Sequence, residues 1–305
     1  MDAFVGVTDY DWYQSLIAQP GIDEVNFWKP GGQQGFSALP PGAPFLFKLH
    51  APRNVVVGGG FYAHFTRLPI SMAWEAFGPK NGAASLSELR ARVERFRRID
   101  SSHDDYSIGC ILLEQPFFFE QRDWIPAPSD WHPNIVQGKR YDLTAGVGRQ
   151  LWDEVQSRLV ARGPSRIAEP DLPRYGSPVE VLPRLGQGSF RVVVTDAYER
   201  RCAITGERTL PALDAAHIKP YSAAGENRVS NGLLLRSDLH RLFDRGYLTV
   251  TPDLKVRVSR RIREEFENGR HYYAMDGSTL RVPNRREYQP ESQALDWHSQ
   301  MVFLK

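Results

Sequence analysis

The chain has 305 residues, of which 41% are hydrophobic and 24% charged, a composition that fits a soluble globular protein with room for two cores and excludes a disordered chain. No run approaches the roughly 18 apolar residues of a membrane span, and the acidic N-terminal segment has no apolar leader, so the expected compartment is the cytoplasm. The two cysteines, Cys110 and Cys202, lack Cys-x-x-Cys partners, which argues against a disulfide framework and a structural zinc. Residues 1–160 carry 15 Lys/Arg against 18 Asp/Glu and residues 161–305 carry 23 against 18. A basic second half suits a nucleic-acid partner, although such an excess is also ordinary.

In chain order, residues 44–49, 55–62 and 108–113 are short β-rich apolar runs bounded by Pro and Gly, and they are expected as strands. Gly58-Gly59-Gly60 has no following Lys-Ser/Thr, so it marks a strand kink or a close backbone approach rather than a nucleotide loop. Residues 85–98 are expected as a helix. Ser85 and Glu88 form a capping box, Leu86, Leu89, Val93 and Phe96 share one face, and the arginines are read first as a solvated face, with a DNA-binding patch as the other reading. A second helix is expected at 151–159. Residues 163–189 hold five prolines and four glycines and are expected as a linker.

Beyond the linker, a helix or turn at 196–201 precedes a strand at 213–217, a polar loop at 219–230, a strand at 232–235 and a helix capped by Ser237. A hairpin at 247–250 and 255–258 follows, around Pro252-Asp253. Strand, loop, strand, helix is a ββα order.

Hydrolysis of a phosphodiester needs an activated water and charge stabilisation at the leaving oxygen. One divalent ion beside one histidine base supplies both. Alternation along the 213–217 strand puts Asp214 and His217 on opposite faces, and Ala216, on Asp214's face, cannot ligate. Asp214 is thus the candidate metal ligand and His217 the candidate base. His240, in the first helical turn, is the second candidate ligand. Asn231, where the loop re-enters the strand, is placed to bond across the hairpin. Lys219 and Arg245 are candidate phosphate contacts. Asp244 either orients a histidine or, more plainly, fixes the turn before Gly246. Trp297 and Phe303 are expected in the core.

The words LDAAHIKP, NGLLL and LHRLFDRG, with His217, Asn231 and His240 in order, resemble the HNH (ββα-metal) endonucleases of the predicted restriction type. The resemblance implies that His217 is the general base, that Asn231 supports the hairpin, and that His240 with Asp214 binds one divalent ion, Mg²⁺, Mn²⁺ or Ni²⁺. Ala216 departs from the family, which often has Asp or His there, and the four-cysteine zinc site of many relatives is not expected.

Six of the seven tryptophans lie before residue 153, and aromatic rings can stack on an everted base, although most such rings serve a core. The run 25–71 resembles the PUA superfamily, especially EVE-type domains, through Val25-Asn26-Phe27-Trp28, the Pro41-Gly42 turn and the glycine-containing strand at 57–62. Ala43, where those domains carry an acid, and the 72–107 insertion depart from it. The resemblance implies a modified-base pocket with Asn26, Phe27 and Trp28, and one of the adjacent Phe61 and Tyr62, taken as Tyr62. The expected whole is an α+β chain: a PUA/EVE-like mixed β-barrel reader at 1–162, the linker at 163–189, and an HNH domain at 190–305. Its expected action is metal-dependent cutting of double-stranded DNA bearing a modified cytosine, as a homodimer or by pairing on DNA, since two strands need two cuts. Two other readings fit the same residues: an HNH enzyme reading unmodified sequence or a sulfur-modified backbone, and a non-cutting regulator with a decayed site.

Overall fold

The computed structural model describes residues 1–31, 35–97, 105–161 and 185–305. The chain divides into two units, Met1–Pro183 and Arg184–Lys305. No helix among the described residues is long and apolar enough to cross a membrane.

The first unit runs β1 (Asp2–Thr8), α1 (Tyr10–Ile17), β2 (Glu24–Lys29), β3 (Pro44–Leu49), β4 (Val55–Pro69), α2 (Ile70–Phe77), α3 (Leu86–Arg97), β5 (Ser107–Phe118), β6 (Ile125–Pro126), β7 (Gly138–Asp142) and α4 (Gly146–Ala161). The strands form one mixed sheet in the order β2-β5-β4-β3-β1-β7, with β6 on β4. β1 and β3 are parallel, and the other pairs are antiparallel.

Every residue of β3 is buried, because both faces of the sheet are covered. Phe45 and Phe47 pack with Phe27 on one face, where Phe27 and Phe45 have ring centroids 4.8 Å apart. Leu46 joins Val5, Val56 and Phe119 on the other, where α4 adds Leu151, Trp152 and Val155. Glycine permits the middle of β4: at Gly58, φ is +154° and an added Cβ would lie 2.2 Å from the Phe117 carbonyl oxygen. The register shifts just after it, between Gly59 and Phe61.

α3 starts as its capping residues require. The Glu88 N–H donates to Ser85 Oγ at 3.2 Å, and the Glu88 carboxylate accepts the Ala84 N–H at 2.8 Å. Leu89 and Val93 are fully buried, but Phe96, expected on the same face, is 47% exposed. Its last-turn ring instead lies beside Trp28 and His50. Three of the helix arginines are tied to the protein: Arg90 pairs with Asp105, Arg92 with Glu88, and Arg97 donates to the carbonyls of Pro30 and Ser107.

The second unit runs α5 (Gln187–Ala197), β8 (Leu213–His217), β9 (Gly232–Arg236), α6 (Ser237–Asp244), β10 (Leu248–Val250), β11 (Val256–Val258), α7 (Arg261–Phe266), α8 (Arg270–Tyr273) and α9 (Ser292–Met301). Residues 163–184 of the expected linker lie outside the described residues. Its end is helix: α5 begins at Gln187, well before the helix or turn expected at 196–201, and its Phe190, Val193 and Val194 are buried. Burial of this apolar stripe overrides the helix-breaking tendency of the glycines around it.

β8 and β9 form an antiparallel hairpin in which Asp214 faces Leu235 and His217 faces Gly232. Gly232 is needed because an added Cβ would lie 2.6 Å from Val194 on α5. Ser237 is the first residue of α6 rather than its cap, and its hydroxyl donates to the Ala212 carbonyl at 3.2 Å, tying helix to hairpin. α9 closes the core with His298, whose Nε2 donates to the Phe243 carbonyl at 3.1 Å while Nδ1 accepts the Thr249 hydroxyl at 2.8 Å.

Candidate functional site

In the second unit, the loop between β8 and β9 is pinned by Asn231. This side chain is 5% exposed and fully used. Its Oδ1 accepts the Lys219 N–H at 2.9 Å, and its Nδ2 donates to the carbonyls of Lys219 at 2.8 Å and Glu226 at 2.9 Å. One amide thus holds both ends of the loop that follows His217.

His217 leaves the end of β8 and lies flat on Phe190, with ring centroids 3.9 Å apart and planes at 9°. Its Nε2 is 2.9 Å from Asn227 Oδ1. Burial pushes the imidazole pKa below its ordinary value, and the positive field of His240 adds to that; the Asn227 hydrogen bond and Asp244 pull the other way. Burial and that field favour the neutral imidazole at His217.

His240 lies in the first turn of α6, a quarter exposed, between two carboxylates. Asp214 Oδ2 is 3.7 Å from Nδ1, and Asp244 Oδ2 is 3.3 Å from Nε2. Burial raises the Asp244 carboxyl pKa, while His240 and His217 lower it. Asp244 thus shares one electrostatic neighbourhood with both histidines, the placement that the histidine-orienting alternative read for it requires. Lys219 extends its ammonium over Trp297, 5.7 Å from the ring centroid. Trp297, expected in the core, is only partly buried and flanks this loop. Arg245 is exposed at the end of α6, where its charge acts on Tyr247.

Oxygen and imidazole donors suit Mg²⁺, Mn²⁺ or Ni²⁺. Among the described residues no three His, Cys, Asp or Glu side chains form an ion-binding group, because the two carboxylates flank opposite edges of His240. A divalent ion held by His240 and one carboxylate keeps its other positions for water and phosphate, as hard cations commonly do. The donor set fits such an ion.

Two neighbours of His217 escaped the sequence reading. Phe190 fell just past the expected linker, and Asn227 sits in an aperiodic loop.

The first unit carries a separate cleft of about 560 Å³. Trp12, Phe27 and Trp28 supply its aromatic wall, and Phe96 and Val136 supply apolar rims. Thr8, Asp9, Lys29, His50 and Gln137 supply its polar groups. Of the four residues expected in a base pocket, Phe27 and Trp28 line this cleft. Asn26 and Tyr62 do not. Asn26 is fully buried, with its Nδ2 donating to Asn81 Oδ1 at 2.9 Å, and Tyr62 packs on Phe36 at 5.2 Å between centroids.

Residues 202–251 match the HNH endonuclease family model HNH_2. The second unit therefore carries an HNH endonuclease domain. Among solved structures, the chain is similar to an ASCH protein from Zymomonas mobilis at 9% identity and a TM-score of 0.33, over 50% of this chain and 94% of that one. It is also similar to the modification-dependent TagI restriction endonuclease at 15% identity and a TM-score of 0.30, over 97% of this chain and 81% of that one. No curated protein matches the chain.

Proposed function

We propose that the chain is a divalent-metal-dependent DNA endonuclease that cuts in response to a modified base, reading it in the first unit and cutting with the second. The observation that carries the cutting half is the juxtaposition within one ββα segment of a half-buried His217, stacked on Phe190, and a His240 flanked by two carboxylates. With Asn227 Oδ1 accepting from Nε2, the imidazole proton sits there and Nδ1 keeps a lone pair for the proton of an attacking water. Phe190 and Asn227 fix the ring, and Asn231 fixes the strand end that presents it. A divalent ion, when bound by His240 with Asp214 or Asp244, supplies charge stabilisation at the scissile phosphate and its leaving oxygen. Lys219 and Arg245 are the proposed phosphate contacts.

The reading half is supported by the aromatic cleft of the first unit, whose Phe27 and Trp28 belong to the segment that resembles PUA and EVE-type domains. The proposed target is a modified cytosine, and the proposed active form is a homodimer or a pair assembled on DNA, because each HNH site cuts one strand.

The test is digestion, with Mg²⁺ or Mn²⁺, of one DNA sequence prepared with cytosine, methylated cytosine or hydroxymethylated cytosine. The expected result is cutting confined to a modified DNA and abolished by His217→Ala. Equal cutting of all three would remove the reader and keep the nuclease; cutting that survives in His217→Ala would remove the assigned base.

A further inference from the structure

Lys219 follows closely on His217, and its main chain is fixed. Asn231 takes both its N–H and its carbonyl, at 2.9 and 2.8 Å. Among the described residues its ammonium donates no hydrogen bond and joins no ion pair. It faces the ring of Trp297 instead, with the centroid 5.7 Å from Nζ, inside the roughly 6 Å reach of a cation–π pair. Carboxylates carried by the same segments are engaged elsewhere. Glu226 pairs with Arg228, Glu291 accepts the Ser230 hydroxyl, and Asp296 accepts the Gln300 amide.

A ring in this place has a chemical consequence. A carboxylate would also hold the ammonium, but it would neutralise the charge and occupy its donors. A π face attracts the cation through its quadrupole and leaves the charge and the N–H donors for an incoming anion. A lysine side chain otherwise spreads over many rotamers, and holding it beforehand removes part of the ordering cost of binding.

α9 carries the ring and is fastened at both ends to the parts that carry the nuclease site. At its start, the Glu291 N–H donates to the Ser230 carbonyl at 3.0 Å, and the Ser230 hydroxyl donates to Glu291 Oε1 at 2.7 Å, just before Asn231. Toward its end, His298, next to Trp297, donates to the carbonyl of Phe243, just before Asp244. Past its end, the Leu304 N–H donates to the Gly246 carbonyl at 2.9 Å. Ala294 and Leu295 are buried between these anchors. The helix lies beyond residues 202–251, the segment that matches the HNH family model.

We infer that Trp297 is a positioning residue of the nuclease: its ring holds the Lys219 ammonium ready for a DNA phosphate, so that a helix outside the matched HNH segment sets part of the grip on substrate. This rests on Lys219 as the phosphate contact proposed above.

The test uses the full chain without divalent metal, so that nothing is cut, and one short labelled duplex bearing 5-methylcytosine. Affinities are measured over a range of salt concentrations, below the melting temperature of the least stable variant. Trp297→Leu keeps apolar bulk and loses the π face, whereas Trp297→Tyr keeps one. The expected result is binding about two- to fivefold weaker in Trp297→Leu and near wild type in Trp297→Tyr. Lys219→Met should weaken binding and flatten the slope of log affinity against log salt by about one, the mark of one lost phosphate contact. Adding Trp297→Leu to Lys219→Met should then cost nothing further, since the ring acts only through the ammonium. A Trp297→Leu loss repeated in full on the Lys219→Met background overturns the inference, because the indole then touches DNA itself. Trp297→Leu that binds as tightly as wild type, beside a Lys219→Met variant that does not, overturns it while leaving the phosphate contact in place. A Lys219→Met variant with wild-type affinity and slope removes the phosphate contact, and the inference falls with the reading it rests on.

Discussion

Phe190 and His217 lie face to face, with centroids 3.9 Å apart and ring planes at 9°. The contact joins α5 to the end of β8, and it places a fully buried hydrophobe under the proposed base. Replacing Phe190 by Ala should cost about 3–5 kcal/mol of stability in the second unit, the range for removing a buried ring. Phe190→Leu should leave the unit folded but free the imidazole to tilt. Cutting rate should then fall about 10- to 100-fold with little change in KM, since misplacing a reacting group by about 1 Å costs that order. Steady-state cutting assays beside thermal unfolding separate the two effects, and a Leu variant as fast as wild type would deny the stack any positioning role.

The two carboxylates at His240 make a prediction about metal. Removing the imidazole with His240→Ala should abolish metal-dependent cutting. Asp214→Asn and Asp244→Asn each remove one charge at opposite edges of the ring, 3.7 and 3.3 Å away. In the proposed metal site one of them would ligate and the other orient the ring, and orienting partners of metal-bound histidines are worth about 10- to 100-fold in metal affinity. Both variants should therefore need more Mn²⁺ for half-maximal cutting. Titrating the ion against activity checks this, and a variant with an unmoved midpoint takes its carboxylate out of the metal site.

His217 also sets a pH dependence. With His217 as the proposed base the neutral imidazole is the competent form, so cutting should fall on the acid side as the ring takes a proton. Burial and the field of His240 lower its pKa, so the midpoint of that limb should lie below about 6.5, the value of an unperturbed histidine. A bound divalent ion would push it lower still. A pH profile of the cutting rate at saturating DNA gives the midpoint. An acid limb centred above that value would argue that another group titrates.

The proximity of Asp214, His217, Asn231 and His240 was legible because it is set locally. Asp214 and His217 sit on one strand, and Asn231 and His240 follow at short, fixed separations. Pleat, turn and first helical turn then put them together without reference to the rest of the chain. Phe190 and Asn227 reach His217 only through packing and a loop path, neither of which leaves a period in the sequence. The first unit's cleft is less legible still, since Asp9, Trp28, His50, Phe96 and Gln137 come from five separate segments. Phe96 illustrates the reason. The helical stripe assigns it to the core with Leu89 and Val93, but the last turn of α3 leaves its ring 47% exposed in the cleft. Asn26 fails in the opposite sense, because its resemblance to a pocket residue does not reveal that Asn81 takes its amide inside the fold.

The buried His298 predicts how stability responds to acid. Its ring is 2% exposed, stacks on Phe243 at 3.6 Å, and has both nitrogens engaged by neutral partners, the Phe243 carbonyl and the Thr249 hydroxyl. Burial lowers its pKa to about 4. The unfolded chain takes up the proton near pH 6.5 and the folded one does not, so the unfolded state binds more protons between these values. Stability should therefore be fully present above about pH 6.5, decline as pH falls toward about 4, and change no further from this group below that. At about 1.4 kcal/mol per pH unit the total loss is on the order of 3 kcal/mol. Urea unfolding at several pH values measures it against His298→Gln, which keeps a polar side chain but cannot titrate in this range. The variant should start less stable at pH 7 and lose less on acidification. Parallel pH dependences in the two proteins would place the acid sensitivity of the second unit elsewhere than His298.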